Sequence, residues 1–225
     1  MSLPLRILAE FLGTAVLVMA VIGSGLLGES LSDDLGVVIL LNQVATVLVL
    51  GVLVALLMPI SGAHINPAVT VVMALRKEVS LGDSVAYLFA QVIGGLVGAI
   101  GAHAMFDQPP IQWGAHERLT TGTFLGEVIA TAGLVALILT ATYQHRAHLL
   151  PLLVPAWIGT AFFFTSSTSF ANPAVTLGRM ITDSFTGIAP SSVLGFVFAQ
   201  LVGALLAVAL IVPFRIAYQR AQEVS

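Results

Sequence analysis

Asn66-Pro67-Ala68-Val69-Thr70 returns, residue for residue, as Asn172-Pro173-Ala174-Val175-Thr176. Asn is a preferred N-cap and Pro is tolerated at the first helical position, where no backbone donor is needed, so each phrase opens a helix. The first can run only from Pro67 to about Leu75, because Arg76-Lys77-Glu78 follows. The second can run from Pro173 to about Ile181, before Asp183 and Ser184 intervene. At 1.5 Å per residue each helix is roughly 14 Å long, so two of them end to end match a hydrocarbon core of roughly 30 Å. Both are predicted to be half-helices whose N-termini meet at the middle of a membrane.

Composition supports a membrane frame. The chain has 225 residues, 58% of them hydrophobic and only 8% charged, with a mean hydropathy of +1.03. The apolar runs are continuous and about 20 residues long rather than alternating, which selects helices over a β-barrel. Spans are predicted at about Leu5–Leu27, Gly36–Met58, Leu81–Met105, Thr121–Tyr143, Leu149–Thr165 and Ser192–Arg215. Two irregular stretches, 59–64 and 166–171, lead into the half-helices; unpaired backbone at that depth must be buried in protein or line a water-filled cavity. The expected class is all-α, six transmembrane helices plus two re-entrant half-helices in one domain. A net charge of -3 with scattered signs points away from nucleic acid. The lipid bilayer is the expected partner, no cleavable signal is evident before Gly28, and the lack of Cys removes disulfides and thiolate metal sites.

The halves, about 1–106 and 121–216, echo each other beyond the Asn-Pro-Ala phrase. Ala9-Glu10-Phe11-Leu12-Gly13-Thr14 matches Gly126-Glu127-Val128-Ile129-Ala130-Thr131, and Ala90-Gln91 matches Ala199-Gln200. Three spans per half is odd, so the two repeats must be inverted in the membrane. Arg6, Arg76, Lys77, Arg146, Arg215 and Arg220 then fall on one side, with Arg118 and Arg179 on the other, which makes both termini cytoplasmic. Gly94, Gly95, Gly98 and Gly203 have the small-residue spacing of close helix contacts.

An N-capping Asn spends its carbonyl oxygen on its own helix and leaves its amide donors free for a lumen. Two such donors at mid-membrane would bind a passing oxygen, while the half-helix dipoles, roughly half a charge each, repel cations. Glu10 and Glu127 are ionisable groups inside apolar spans, so either a functional carboxyl or a satisfied structural one.

The run Ser61-Gly62-Ala63-His64-Ile65-Asn66-Pro67-Ala68-Val69-Thr70, the second Asn172-Pro173-Ala174 and the paired Glu10 and Glu127 resemble the aquaporin, or major intrinsic protein, family over essentially the whole chain. The resemblance implies a homotetramer with one pore per subunit, passing water or small neutral solutes passively in a cell (plasma or inner) membrane. It implies that Glu10 and Glu127 hold the two irregular loops. The backbone carbonyls of Gly62, Ala63 and His64 in one half, and of Thr168, Ser169 and Phe170 in the other, are expected to line the pore; the His64 side chain is read as a loop brace.

One position departs from the family. After the second Asn-Pro-Ala, most members carry Arg, where this chain has Val175. By the resemblance, Thr46, Ser169 and Val175 stand at the narrowest filter, together with a residue of the fifth span. Counting back from Asn172 without a gap selects Thr160 there, and alignment on Pro151 with a shortened loop selects Phe162. Either gives a neutral filter wider than a water channel's. Arg179, one turn beyond Val175, has two readings: it reaches back toward the vestibule, or, the favoured reading, it faces headgroups or caps carbonyls. Val in place of this Arg is similar to the arsenic-resistance, AqpS-type branch of bacterial aquaglyceroporins, which implies arsenious acid, related arsenicals, glycerol and water as solutes. A water-selective pore and an ion-coupled secondary transporter are the alternatives. An intramembrane enzyme lacks a nucleophile and base, and neither a cofactor nor a metal is expected.

Overall fold

A computed structural model describes residues 1–223, with side chains left undescribed at 217 and 219–223, so the side chain of Arg220 lies outside the described residues. The described residues form eight α-helices and a short 3₁₀ turn, without strands: α1 (Leu3–Leu31), α2 (Leu35–Ser61), α3 (Pro67–Leu75), α4 (Leu81–Met105), α5 (Thr121–Tyr143), α6 (Leu150–Phe164), α7 (Pro173–Arg179) and α8 (Pro190–Glu223). Six are long and apolar enough to cross a membrane, α6 when taken with the 3₁₀ turn before it as Ala147–Phe164. The short ones, α3 and α7, are the two half-helices.

Large apolar side chains including Leu48, Phe89, Leu152, Leu194 and Phe198 are exposed on the outside of the bundle, where lipid is the matching solvent. Lipid tails give helices no hydrophobic reason to associate, so close van der Waals contact between small residues must hold them. The glycines supply it. A Cβ added at Gly94 of α4 would stand 2.5 Å from the Phe11 carbonyl oxygen of α1, and one at Gly95 would stand 2.6 Å from the Ala174 carbonyl oxygen of α7. Gly98 faces the Ala15 backbone in the same seam, and Gly203 of α8 meets the Val128 carbonyl of α5. The Gly95 contact matters most for the site, because it seats α7 against a helix of the other half.

The boundaries of α2, α7 and α8 differ from the sequence expectation, and α1 runs on to Leu31 rather than about Leu27. The α2 helix runs through Pro59 to Ser61 and stops at Gly62, which adopts φ 91° and donates its N–H to the Met58 carbonyl, so the first irregular stretch begins three residues later than expected. The α7 helix ends at Arg179 rather than Ile181. The carbonyls just beyond it are taken by the connecting loop, with Gly114 N–H bonded to Met180 O at 2.9 Å and Gln112 N–H to Ile181 O at 3.0 Å. The last helix starts at Pro190 and continues past Arg215 to Glu223.

Gly94→Val is expected to destabilise the bundle by about 1–3 kcal/mol, the usual cost of overpacking, read as a lowered Tm in detergent. Gly82→Ala, with nothing within 4 Å of the added Cβ, is expected to leave Tm unchanged.

Candidate functional site

Each Asn-Pro-Ala phrase does two things at once. Asn66 Oδ1 accepts from Ala68 N–H at 2.9 Å and Asn172 Oδ1 from Ala174 N–H at 3.0 Å, so both Asn residues cap their own half-helices. Their amide nitrogens reach across. Asn66 Nδ2 donates to the Ala171 carbonyl at 2.8 Å, and Asn172 Nδ2 donates to the Ile65 carbonyl at 2.8 Å. The expectation of wholly free amide donors is therefore corrected: one N–H of each amide is spent on the opposite loop, leaving one for a lumen. This reciprocal pair fixes α3 and α7 N-terminus to N-terminus.

The two loops that carry those carbonyls are unusually contorted. Ala63, Ile65, Thr168, Ser169 and Ala171 all have positive φ, between 38° and 59°. For a β-branched residue such as Ile65 that is a costly conformation, which persists only where surroundings over-determine it. The surroundings are the carboxylates. Glu10, fully buried, accepts from Ile65 N–H (2.6 Å), His64 N–H (3.0 Å), the Ser61 hydroxyl (2.6 Å) and Gln91 Nε2 (2.7 Å). Glu127, also fully buried, accepts from Phe170 N–H (2.8 Å), Ala171 N–H (2.9 Å) and Gln200 Nε2 (2.6 Å). Gln91 and Gln200 donate in turn to Thr70 and Thr176, whose hydroxyls donate to the carbonyls of Asn66 and Asn172. The same lattice of Glu, Gln and Thr thus stands behind each half-helix. His64 braces its loop through Nδ1 to the Thr70 hydroxyl at 3.1 Å and an edge contact with Tyr87.

A cavity runs past these groups. Its wall includes Asn66, Asn172, Ala63, His64, Thr168, Ser169 and Phe170. Gly62 is absent from the wall and is exposed, because its left-handed cap turns the chain before the cavity begins. Thr46, Phe162, Ser169 and Val175 all line it. Thr160 does not: it is exposed, with its hydroxyl bonded to Ala156 O, so the geometry brings Phe162 rather than Thr160 to the other three. The wall is mainly apolar, with Leu17, Leu50, Val54 and Ile158 among its members.

Two further polar members stand in the wall, and one of them, Asn42, is not expected from the sequence. Asn42 is one helical turn before Thr46 on the same face of α2, a spacing that could have revealed it. Arg179 lines the cavity and is only 4% exposed. It does bond a carbonyl, that of Thr186, but from inside the wall, which corrects the headgroup-facing reading. Its Cζ lies 3.4 Å from the centroid of the Phe170 ring. Arg118, in the loop before α5, donates to Gly187 O and Phe185 O at 2.6 Å each and ties that loop over the same end of the cavity. Burial lowers the Arg118 pKa from its ordinary value.

Glu127→Ala is expected to orphan three buried donors at about 1–3 kcal/mol each, and so to lower Tm or yield in detergent severely. Glu127→Gln keeps one acceptor oxygen and is expected to fall between it and the unaltered protein; equal Tm for all three would contradict the role given to the carboxylate.

Residues 2–170 match the family described as Major intrinsic protein, a match that ends two residues before the second Asn-Pro-Ala. The chain is 46% identical over 205 residues to aquaglyceroporin AqpS of Rhizobium meliloti (strain 1021), covering 91% of this chain and 88% of that protein. It is 31% identical over 184 residues to mouse (Mus musculus) aquaporin-4, covering 77% of this chain but 57% of the relative. Among solved structures, the aquaglyceroporin from Plasmodium falciparum superposes with a TM-score of 0.73 over 96% of this chain and all of its own, at 22% identity, which speaks for the fold. The chain therefore belongs to the major intrinsic protein family of multi-pass membrane channels, which are not enzymes.

Proposed function

We propose that the chain is a passive channel for small neutral solutes of aquaglyceroporin breadth, with arsenious acid or related arsenicals, glycerol and water as its solutes. The single observation that carries the breadth is the wall around Val175. Where the resemblance leads one to expect a cationic side chain at the constriction, the cavity is bounded by Thr46, Phe162, Ser169 and Val175, three of them offering methyl or aryl surface and none a charge. With no Arg at 175 that level leaves more room for a triol; the cation among the lining residues, Arg179, belongs to the next turn of α7. The likeness to a bacterial aquaglyceroporin supports the same class.

In this reading Asn66-Pro67-Ala68 and Asn172-Pro173-Ala174 form the midpoint of the pore. Each Asn offers its remaining amide N–H to a solute oxygen, and the two opposed half-helix N-termini oppose cations. Glu10 and Glu127 act on the pore only through the loops they hold. The chain would work as two inverted repeats, about 1–106 and 121–216, in one domain, assembled as a homotetramer in a cell membrane with both termini cytoplasmic. Arg6, Arg76, Lys77, Arg146 and Arg215 supply the positive side of that orientation.

Stopped-flow light scattering of proteoliposomes loaded against water, glycerol, urea and arsenious acid tests the proposal. Downhill flux of the larger solutes well above protein-free vesicles is expected, together with no uphill accumulation under a proton or sodium gradient. Val175→Arg puts a long cation into the wall and is expected to lower glycerol and arsenious acid flux by a larger factor than water flux, by about tenfold if one tight steric contact is added at about 1.4 kcal/mol. An unchanged ratio in a folded variant removes Val175 from the narrowest point and takes the breadth of the pore with it.

A further inference from the structure

One cation in the cavity wall, Arg179, keeps most of its hydrogen-bonding capacity unused among the described residues. Arg179 closes α7 and stands in the cavity wall, one turn beyond Val175, where side chains on a helix lean back toward its N-terminus. It lies over Phe170, whose opposite contacts are with Phe196, 5.1 Å between ring centroids. Of its five N–H donors, only the Nε donor has a protein partner among the described residues, the Thr186 carbonyl. No carboxylate stands within ion-pair distance of it among the described residues. Arg118, which sits 5.5 Å from the same ring, differs in having both Nε and Nη2 committed to carbonyls.

A second unused group belongs to Ser169, the residue before Phe170 in the wall of the same cavity. Its buried hydroxyl has no hydrogen-bond partner among the described residues. Buried polar groups are nearly always paired, and a buried cation with idle donors is costly, so two such groups facing one lumen are groups kept for something that passes through it. The sequence gives an independent sign. The matching place in the inner half-helix, as far beyond Asn66 as Arg179 is beyond Asn172, is held by Met73. The loop frame is duplicated in both halves, and the cation is not.

We propose that Arg179 and Ser169 form an oxygen-binding site in the outer half of the cavity, in which the free guanidinium N–H groups and the Ser169 hydroxyl hold a neutral solute carrying two or more hydroxyl groups. Arg179 thereby supplies, from one turn further along α7, a cation and a donor fork that position 175 lacks. The Ser169 hydroxyl both accepts from a solute O–H and donates to a solute oxygen, whereas the guanidinium only donates, so the pair suits a polyol or a trihydroxy acid and turns away cations. The proposal rests on the channel reading above and deepens it: Val175 sets the width, and Arg179 with Ser169 sets which solutes of that width are preferred.

The test compares glycerol with urea in proteoliposomes, alongside the proton leak. Three variants are measured after their Tm and monodispersity are checked. Arg179→Met installs the residue of the inner half and removes both charge and fork; the glycerol-to-urea flux ratio is expected to fall by about tenfold, the size of one lost charge-assisted hydrogen bond, and the proton leak to rise. Arg179→Lys keeps the charge without the fork, so the leak is expected to stay low while the ratio falls. Ser169→Ala removes an unpartnered hydroxyl and should not disturb folding, which keeps the idea exposed even if both Arg179 variants are unstable; its ratio is expected to fall by about threefold. Unchanged ratios in any folded Arg179 variant, or in Ser169→Ala, overturn the site while leaving the channel reading intact. A wild-type protein that passes neither solute above protein-free vesicles overturns both.

Discussion

Everything at the centre of this molecule depends on two hydrogen bonds that cross it: Asn66 Nδ2 to Ala171 O, and Asn172 Nδ2 to Ile65 O. Two helix N-termini brought together place like partial charges, roughly half a unit each, in opposition. Left alone they would separate. The Asn amides convert that opposition into a fixed geometry, because each caps its own helix with oxygen and grips the other loop with nitrogen. The gripped carbonyls must then be held in left-handed backbone, and that is the task of Glu10 and Glu127. Each buried carboxylate collects donors from a loop, a Gln and, for Glu10, a Ser, so that its charge is spread over several N–H and O–H groups. The chain of dependence runs from carboxylate to loop to carbonyl to Asn to half-helix.

The glycine seams serve the same end from outside. Close approach at Gly94 and Gly98 brings α1 and α4 together, and Gly95 lets α4 touch α7 at the Ala174 carbonyl. The half-helix is thus fixed at its N-terminus by Asn172 and along its side by α4. Its far end is fixed by the loop before α5, which bonds the Met180 and Ile181 carbonyls. A wall this well determined can keep an apolar lining in place around a polar midpoint, the arrangement a channel for small neutral solutes requires.

Much of this was legible in the sequence because it is written in residue types with few other uses. Asn-Pro at a helix start, said twice, fixed where both half-helices begin, and long apolar runs located all six membrane helices. Other features were beyond reach for definite reasons. The left-handed backbone at Ala63, Ile65, Thr168, Ser169 and Ala171 leaves no mark, since Gly would have announced it and only Gly62 does. The end of α7 depends on a loop more than 60 positions earlier in the chain, Gly114 to Met180, and no local pattern encodes it. The choice between Phe162 and Thr160 turned on a gap that spacing alone left open. Arg179 was legible only as an alternative, because an Arg near the outer end of a short helix in an apolar chain usually finds headgroups; here Phe170 and the Thr186 carbonyl offer it a place inside.

The central claim is that two opposed, Asn-braced helix N-termini let neutral solutes through and keep cations out, even though position 175 carries no charge. Glycerol permeability and proton leak measured in the same wild-type proteoliposomes, across a series of protein-to-lipid ratios, test it most directly. Glycerol permeability rising in proportion to protein, with proton leak level at the protein-free value, is the result the account predicts. Proton leak rising in step with glycerol permeability would contradict it.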